Sequence, residues 1–193
     1  MLCYPGWVKD ILAIIAALLA VAGNVPYVRN TITGHVRPHP YTWLVSSIVS
    51  ATVLAGMLAK GAGVGALPAA VSGAFTIGIF FLSLKYGYNG ATKSDRLFLF
   101  AALLGLIPWA LTHDPTVSVV IAVAIDIASF VPTFRKTWAH PTTEAPVLYG
   151  SNVLRHVLAL LSLQTYNVAT SLHSIAMIVL NSGMLGVIFR KRV

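Results

Sequence analysis

Along the chain, apolar runs recur between short interruptions that hold Lys, Arg, Pro or Gly. The runs are about 18–23 residues long, the length a helix needs to cross roughly 30 Å of hydrocarbon. The pattern predicts an all-α membrane protein with seven transmembrane helices, at about 9–29, 40–60, 64–85, 96–112, 116–136, 144–163 and 167–189. The third span carries Gly61, Gly63, Gly65 and Pro68 near its start. The fourth is short, between Arg96 and His113, and the sixth holds Arg155 and His156 at its middle. The first apolar run has almost no basic region before it and reads as a retained span.

The interruptions orient the spans. With the loops numbered alternately, one side collects Arg29, Arg37, Lys85, Lys93, Arg96, Arg135, Lys136, Arg190, Lys191 and Arg192, and the other only Lys9 and Lys60. Basic loops stay in the cytoplasm, so the amino terminus is expected outside and the carboxyl terminus inside, in a membrane of the bacterial inner (plasma) type. Composition agrees: the chain is 57% hydrophobic and 9% charged, with a mean hydropathy of +0.81, whereas soluble domains carry roughly 25% charged residues. The net charge of +8 then reads as topology signal, with no nucleic acid implied. Cys3 is the single cysteine, which excludes an intrachain disulfide or a cysteine metal cluster.

The chain also repeats itself. Residues 24–46, NVPYVRNTITGHVRPHPYTWLVS, and 130–152, FVPTFRKTWAHPTTEAPVLYGSN, align at an offset of 106. They share Val25/Val131, Pro26/Pro132, Arg29/Arg135, Thr31/Thr137 and Pro40/Pro146, followed by the aromatic pair Trp43/Tyr149. Three spans make an odd unit, so one intervening span restores the second copy to the orientation of the first. The expected organisation is two parallel three-helix repeats, 1–86 and 114–193, joined by a linker helix in 87–113. Ser72-Gly73 and Ser182-Gly183 echo one another in the third helices at an offset of 110.

A 3+1+3 arrangement, a proline late in the first helix of each triplet and a basic loop after it resemble the PQ-loop and SWEET transporter superfamily. The family's Pro-Gln stands here as Pro26-Tyr27 and Pro132-Thr133, so only the proline carries over. The stretch PTFRKTWAHPTTEAP resembles small bacterial membrane proteins of this type. By that resemblance Asn181, followed by Ser182-Gly183, takes the place of the pocket asparagine of a third helix, while the first triplet has Val71 there.

Polar residues inside spans are expensive and face the bundle interior. Asp126 and Arg155 fall near mid-depth on adjacent antiparallel spans, which makes them expected ion-pair partners. At the repeat offset they answer to Ala20 and Val49, so only one triplet holds them. Asn24, Asn152 and Asn181 join them as candidate substrate-binding residues. His173 reads as packing, and His156 as facing a different neighbour from Arg155. Pro26 and Pro132, placed alike in both triplets, are candidate hinges or gates, and Pro108-Trp109 reads as a kink with an interfacial aromatic. His35 and His39 have a metal-pair spacing, but Pro38 and Pro40 argue against a helix there. Gly61–Gly65 lacks the strand and lysine of a phosphate loop. No nucleophile, base and orienting residue come together, so no enzyme, cofactor or metal is expected. The function expected is a small secondary transporter or facilitator that moves a small polar solute, such as a sugar, by alternating access. The alternatives are a proton-coupled carrier of amino acids or other charged metabolites, and a non-transporting receptor or assembly factor. The partners are then a small-molecule substrate, protons in the coupled case and the lipid bilayer, with homo-oligomers left open.

Overall fold

A computed structural model describes residues 5–35, 38–87, 93–139 and 146–190; within its helices the side chains of 94, 95, 98, 131–133, 135, 136 and 139 lie outside the description. Regular structure among the described residues is helical: α1 (Gly6–Ile32), α2 (Pro40–Ala59), a 3-10 turn (Gly63–Ala66), α3 (Leu67–Tyr86), α4 (Lys93–Leu104), α5 (Ile107–Thr112), α6 (Pro115–Ala139), α7 (Pro146–Leu161) and α8 (Val168–Arg190). Among the described residues, four stretches are long and apolar enough to cross a membrane: α1, α2, the 3-10 turn with α3, and α8. Their outer faces carry Ile14, Leu18, Phe81, Leu84 and Val179 exposed, which suits hydrocarbon and fits an integral membrane protein.

Two expected spans differ from expectation. The fourth is broken into α4 and α5 at Gly105-Leu106, because Pro108 opens α5 and a Cβ on Gly105 would sit 2.8 Å from Ile121 of α6. The sixth, α7, has 16 residues, short of the length of about 20 that a span needs. Pro68 stands in the first turn of α3, where its missing amide costs no helical bond. Pro26 lies inside α1, which continues through it as helix. Pro132 lies inside α6, but its side chain is outside the description, as are residues 37 and 191–193.

Packing follows small residues. The buried face of α1 is Ala13, Ala16, Ala17 and Ala20, one stripe at helical spacing that lets α3 and α7 approach closely. α3 lies between α1 and α2, and α8 lies between α6 and α7. The two groups meet where α1 abuts α7 and α2 abuts α6. At the second junction Gly56 faces Val119, whose Cγ2 would be 2.4 Å from an added Cβ. Val49, Val53 and Met57 pack there against Val119, Ala122 and Val123.

One end of the bundle is tied by its turns. The Gln164 amide donates to the Ala62 carbonyl at 3.0 Å, Asn167 Nδ2 to the Lys60 carbonyl at 3.1 Å and Lys9 Nζ to the Leu163 carbonyl at 2.8 Å. Lys60 also pairs with Asp114 at 3.2 Å. The starts of α1, α3, α6 and α8 and the ends of α2 and α7 therefore share that end. Gly61 and Gly63 have positive φ, 77° and 59°, which lets the chain turn tightly there. Asn167 and Thr170 cap α8 reciprocally, each amide donating to the other's side-chain oxygen at 3.1 and 3.0 Å.

Asp114 caps α6, accepting from the Thr116 amide at 2.9 Å. Hydrogen bonds from the Thr116 side chain and amide, then Lys60, lower its carboxyl to about 2 from 3.8. A depressed carboxyl stabilises fully above its unfolded value and loses that contribution as pH falls through its folded one. Asp114→Ala should therefore lower the thermal midpoint in detergent at pH 7, and its gap to wild type should close as pH falls from about 3.8 to about 2. At Gly65 an added Cβ would lie 2.8 Å from the Leu163 Cα. Gly65→Ala should cost about 1–3 kcal/mol of stability, whereas Gly78→Ala, with nothing within 4 Å, should not lower the midpoint.

Candidate functional site

Where the two groups meet, a cavity of about 320 Å³ runs between α1, α2, α3, α7 and α8, with Asp126 reaching it from α6. Its walls keep the repeat offset of the sequence. α2 contributes Ser46, Ser50 and Val53, and α7 contributes Asn152, His156 and Ala159, each 106 residues later. Ala20 of α1 and Asp126 of α6 match at the same offset. On the third helices, Pro68, Ala69 and Ser72 of α3 answer to His173, Ser174 and Met177 of α8 at an offset of 105. Each set falls on one helical face. By this register Ser72 corresponds to Met177, not to Ser182, which is exposed.

The shape is shared, but the chemistry is one-sided. α2 and α3 present mostly hydroxyls and apolar groups, whereas α6, α7 and α8 carry the ionisable side chains. Asp126 Oδ2 lies 3.2 Å from His173 Nε2. The His173 ring meets His156 edge-on, with centroids 5.5 Å apart. Arg155 Nη2 lies 3.0 Å from His156 Nε2. A guanidinium only donates, so that nitrogen accepts, and Nδ1 of His156 carries the hydrogen that faces Ser174 Oγ at 3.4 Å. Arg155 Nη1 donates to the hydroxyl of Ser72, which carries this run of polar contacts across to the first group. Arg155 Nε is buried without a hydrogen-bond partner.

The ion pair expected between Asp126 and Arg155 is not formed. α8 lies between α6 and α7, so its His173 intercepts the carboxylate before it can reach α7. His173, expected as packing, is thus a cavity residue, and His156 bonds to its sequence neighbour Arg155. Asn152 and Asn24 line the cavity. Asn24 Nδ2 donates back to the Ala20 carbonyl at 2.8 Å. Asn181 stands one layer behind: it is 2% exposed, donates to the Met177 carbonyl at 2.7 Å and accepts from Asn152 at 3.4 Å. Pro26 lies away from the cavity, on a groove with Arg29, Asn30 and His35. The repeated aromatics also part company, since Trp43 lines the cavity against Tyr27 while Tyr149 is buried against Met184 and Ile188. Sequence reasoning missed Ser72, Ser174 and the serines of α2. The signal was there in Ser46 and Ser50, which stand 106 residues before Asn152 and His156.

Searched against family models, curated proteins and solved structures, the chain matches none of them. The cavity therefore has to be read from its own chemistry. It offers one guanidinium whose polar contacts are neutral, a carboxylate–imidazole pair, and a rim of amides and hydroxyls. That set can bind a small polar or singly charged solute and hold a proton beside it.

The changed pairing has a measurable consequence. In double-mutant cycles on thermal stability at mildly acidic pH, Asp126→Asn with His173→Gln should show coupling of about 0.5–3 kcal/mol. The cycle of Asp126→Asn with Arg155→Gln should show less.

Proposed function

We propose that the protein is a small membrane carrier, moving a small polar solute through this cavity between two like three-helix units. The observation that carries the reading is the cavity itself, whose wall positions recur at the sequence offset on α2 and α7. The shared starting end of α1, α3, α6 and α8, and the matching order in which α3 and α8 are flanked, support seven crossings arranged as 3+1+3. On this reading α7 and the α4–α5 pair complete the set, with the short crossings covered by their neighbours. The same reading puts the tied end outside, in a membrane of the bacterial inner type, which the bias of basic loops supports. A space of about 320 Å³ with Asp126, Arg155, His156 and His173 in its wall falls among the smaller ligand pockets, which run from about 300 Å³. In a chain with so few charged residues, such a space is costly unless it is used.

Alternating access then needs the tied end to part. Its ties are a few backbone and amide hydrogen bonds between the α2–α3 and α7–α8 turns, together with Lys9 and the Lys60–Asp114 pair. Pro26 and Pro132, one in each first helix, remain the proposed soft points at the other end. The proton-coupled variant is favoured by one specific observation, the contact of Asp126 with His173 in the cavity wall.

Purified protein in liposomes should take up at least one solute from a panel of labelled sugars and small organic acids. Ser151→Trp, which puts an indole into the cavity lined by Ser151, should abolish that uptake in a protein that still elutes as a single species. A panel in which nothing moves, although the same solutes raise the thermal midpoint, would make the protein a binder and not a carrier.

A further inference from the structure

We infer that the cavity takes a small monocarboxylate on Arg155 and moves it together with one proton held by the Asp126–His173 pair. The inference rests on the carrier reading above and adds the solute class and the coupling.

Arg155 is the cavity's one guanidinium, and the partners of its two Nη atoms are the hydroxyl of Ser72 and a neutral imidazole nitrogen of His156. Its Nε is buried and unpartnered, and the carboxylate within reach of the wall is held by His173. A cation enclosed among helices with no counter-ion is an uncompensated charge. Two free Nη hydrogens beside an open space suit a planar carboxylate, which guanidinium recognises with matched geometry. Asn152, Ser151 and Asn24 line the same space and can meet a hydroxyl or oxo group on the solute. The volume of about 320 Å³ limits that solute to a few carbons.

Counting charges gives the coupling. The empty cavity, with His173 neutral, holds Asp126 negative and Arg155 positive, a sum of zero. With one carboxylate bound and His173 protonated the sum is again zero. Either event alone leaves a net charge: minus one with solute only, plus one with proton only. Net charge within a bilayer is penalised, so the two neutral states are the ones that cross. A dianionic phosphate or a zwitterion would unbalance the loaded state.

The geometry also says which histidine holds the proton. His156 Nε2 accepts from Arg155, so protonating it would break that bond beside a cation. His173 faces the Asp126 carboxylate instead. Of the helices against α8, α6 brings Asp126, α7 brings Arg155 and His156, and α2 carries no charged or histidine side chain. His173 Nε2–H already donates to the Asp126 carboxylate, so the incoming proton is taken at Nδ1 as the solute carboxylate docks on Arg155, and both leave together.

The test uses the full chain in liposomes, with labelled lactate as the monocarboxylate, alanine as the zwitterion and glucose as the neutral solute. Uptake by protein-free liposomes is subtracted. With the interior more alkaline by one pH unit and the membrane potential clamped at zero, lactate should accumulate about tenfold, the ratio set by one proton per solute. A membrane potential without a pH gradient should drive no accumulation. Arg155→Gln should abolish lactate uptake, Arg155→Lys should retain part of it, and His173→Gln should make the remaining uptake follow the potential. Single-species elution shows that each variant is folded, and the wild-type gradient measurement stands without them. Lactate accumulation driven by potential, or about hundredfold accumulation per pH unit, overturns the one-proton count. Glucose or alanine uptake without lactate uptake overturns the carboxylate site and leaves the carrier standing. No uptake of any solute in either panel overturns both.

Discussion

A guanidinium held among membrane helices cannot turn to its surroundings for partners, because lipid offers neither hydrogen-bond acceptors nor counter-charge. Arg155 has to be satisfied from inside the bundle, and the arrangement of the polar interior follows from that. Its nearest acceptors come from two sources, His156 beside it and Ser72 on α3. Through Ser72 the charged half of the cavity is fastened to the half without charges. Through His156 it reaches Ser174 and the edge of His173, and so the carboxylate of Asp126. Four helices are joined by one run of polar contacts that borders an open space.

The rest of the bundle makes room for that run. Alanines on α1 and glycines at 56 and 65 bring backbones close at the junctions between the two helix groups, which compensates by dispersion for the absence of a hydrophobic force between helices in lipid. Ties between turns hold one end. The space left between these close approaches is the cavity. Its two walls are alike in position and unlike in chemistry: hydroxyls on α2 face an amide and an imidazole on α7 at matching depth. The shared positions follow the 106-residue offset of the sequence, and the charged side chains of the wall stand on α6 and α7.

Much of this was legible in the chain itself. Apolar run lengths determine helices, and at least four of them stand at span length; the 106-residue offset determines which faces of α2 and α7 correspond. Both are local or one-dimensional properties, set by side-chain transfer energies and by the period of a helix. Partner choice was decided only by the tertiary structure. Neighbours in sequence were expected to pack together, which paired Asp126 with Arg155; in the bundle the third helix of each group inserts between the first and second, so His173 takes the carboxylate. The same insertion moved Asn181 behind Asn152. Hydropathy is averaged along a chain and reports that a residue is enclosed. Which group encloses it depends on the order of helices around the bundle, and no term in the local sequence carries that order.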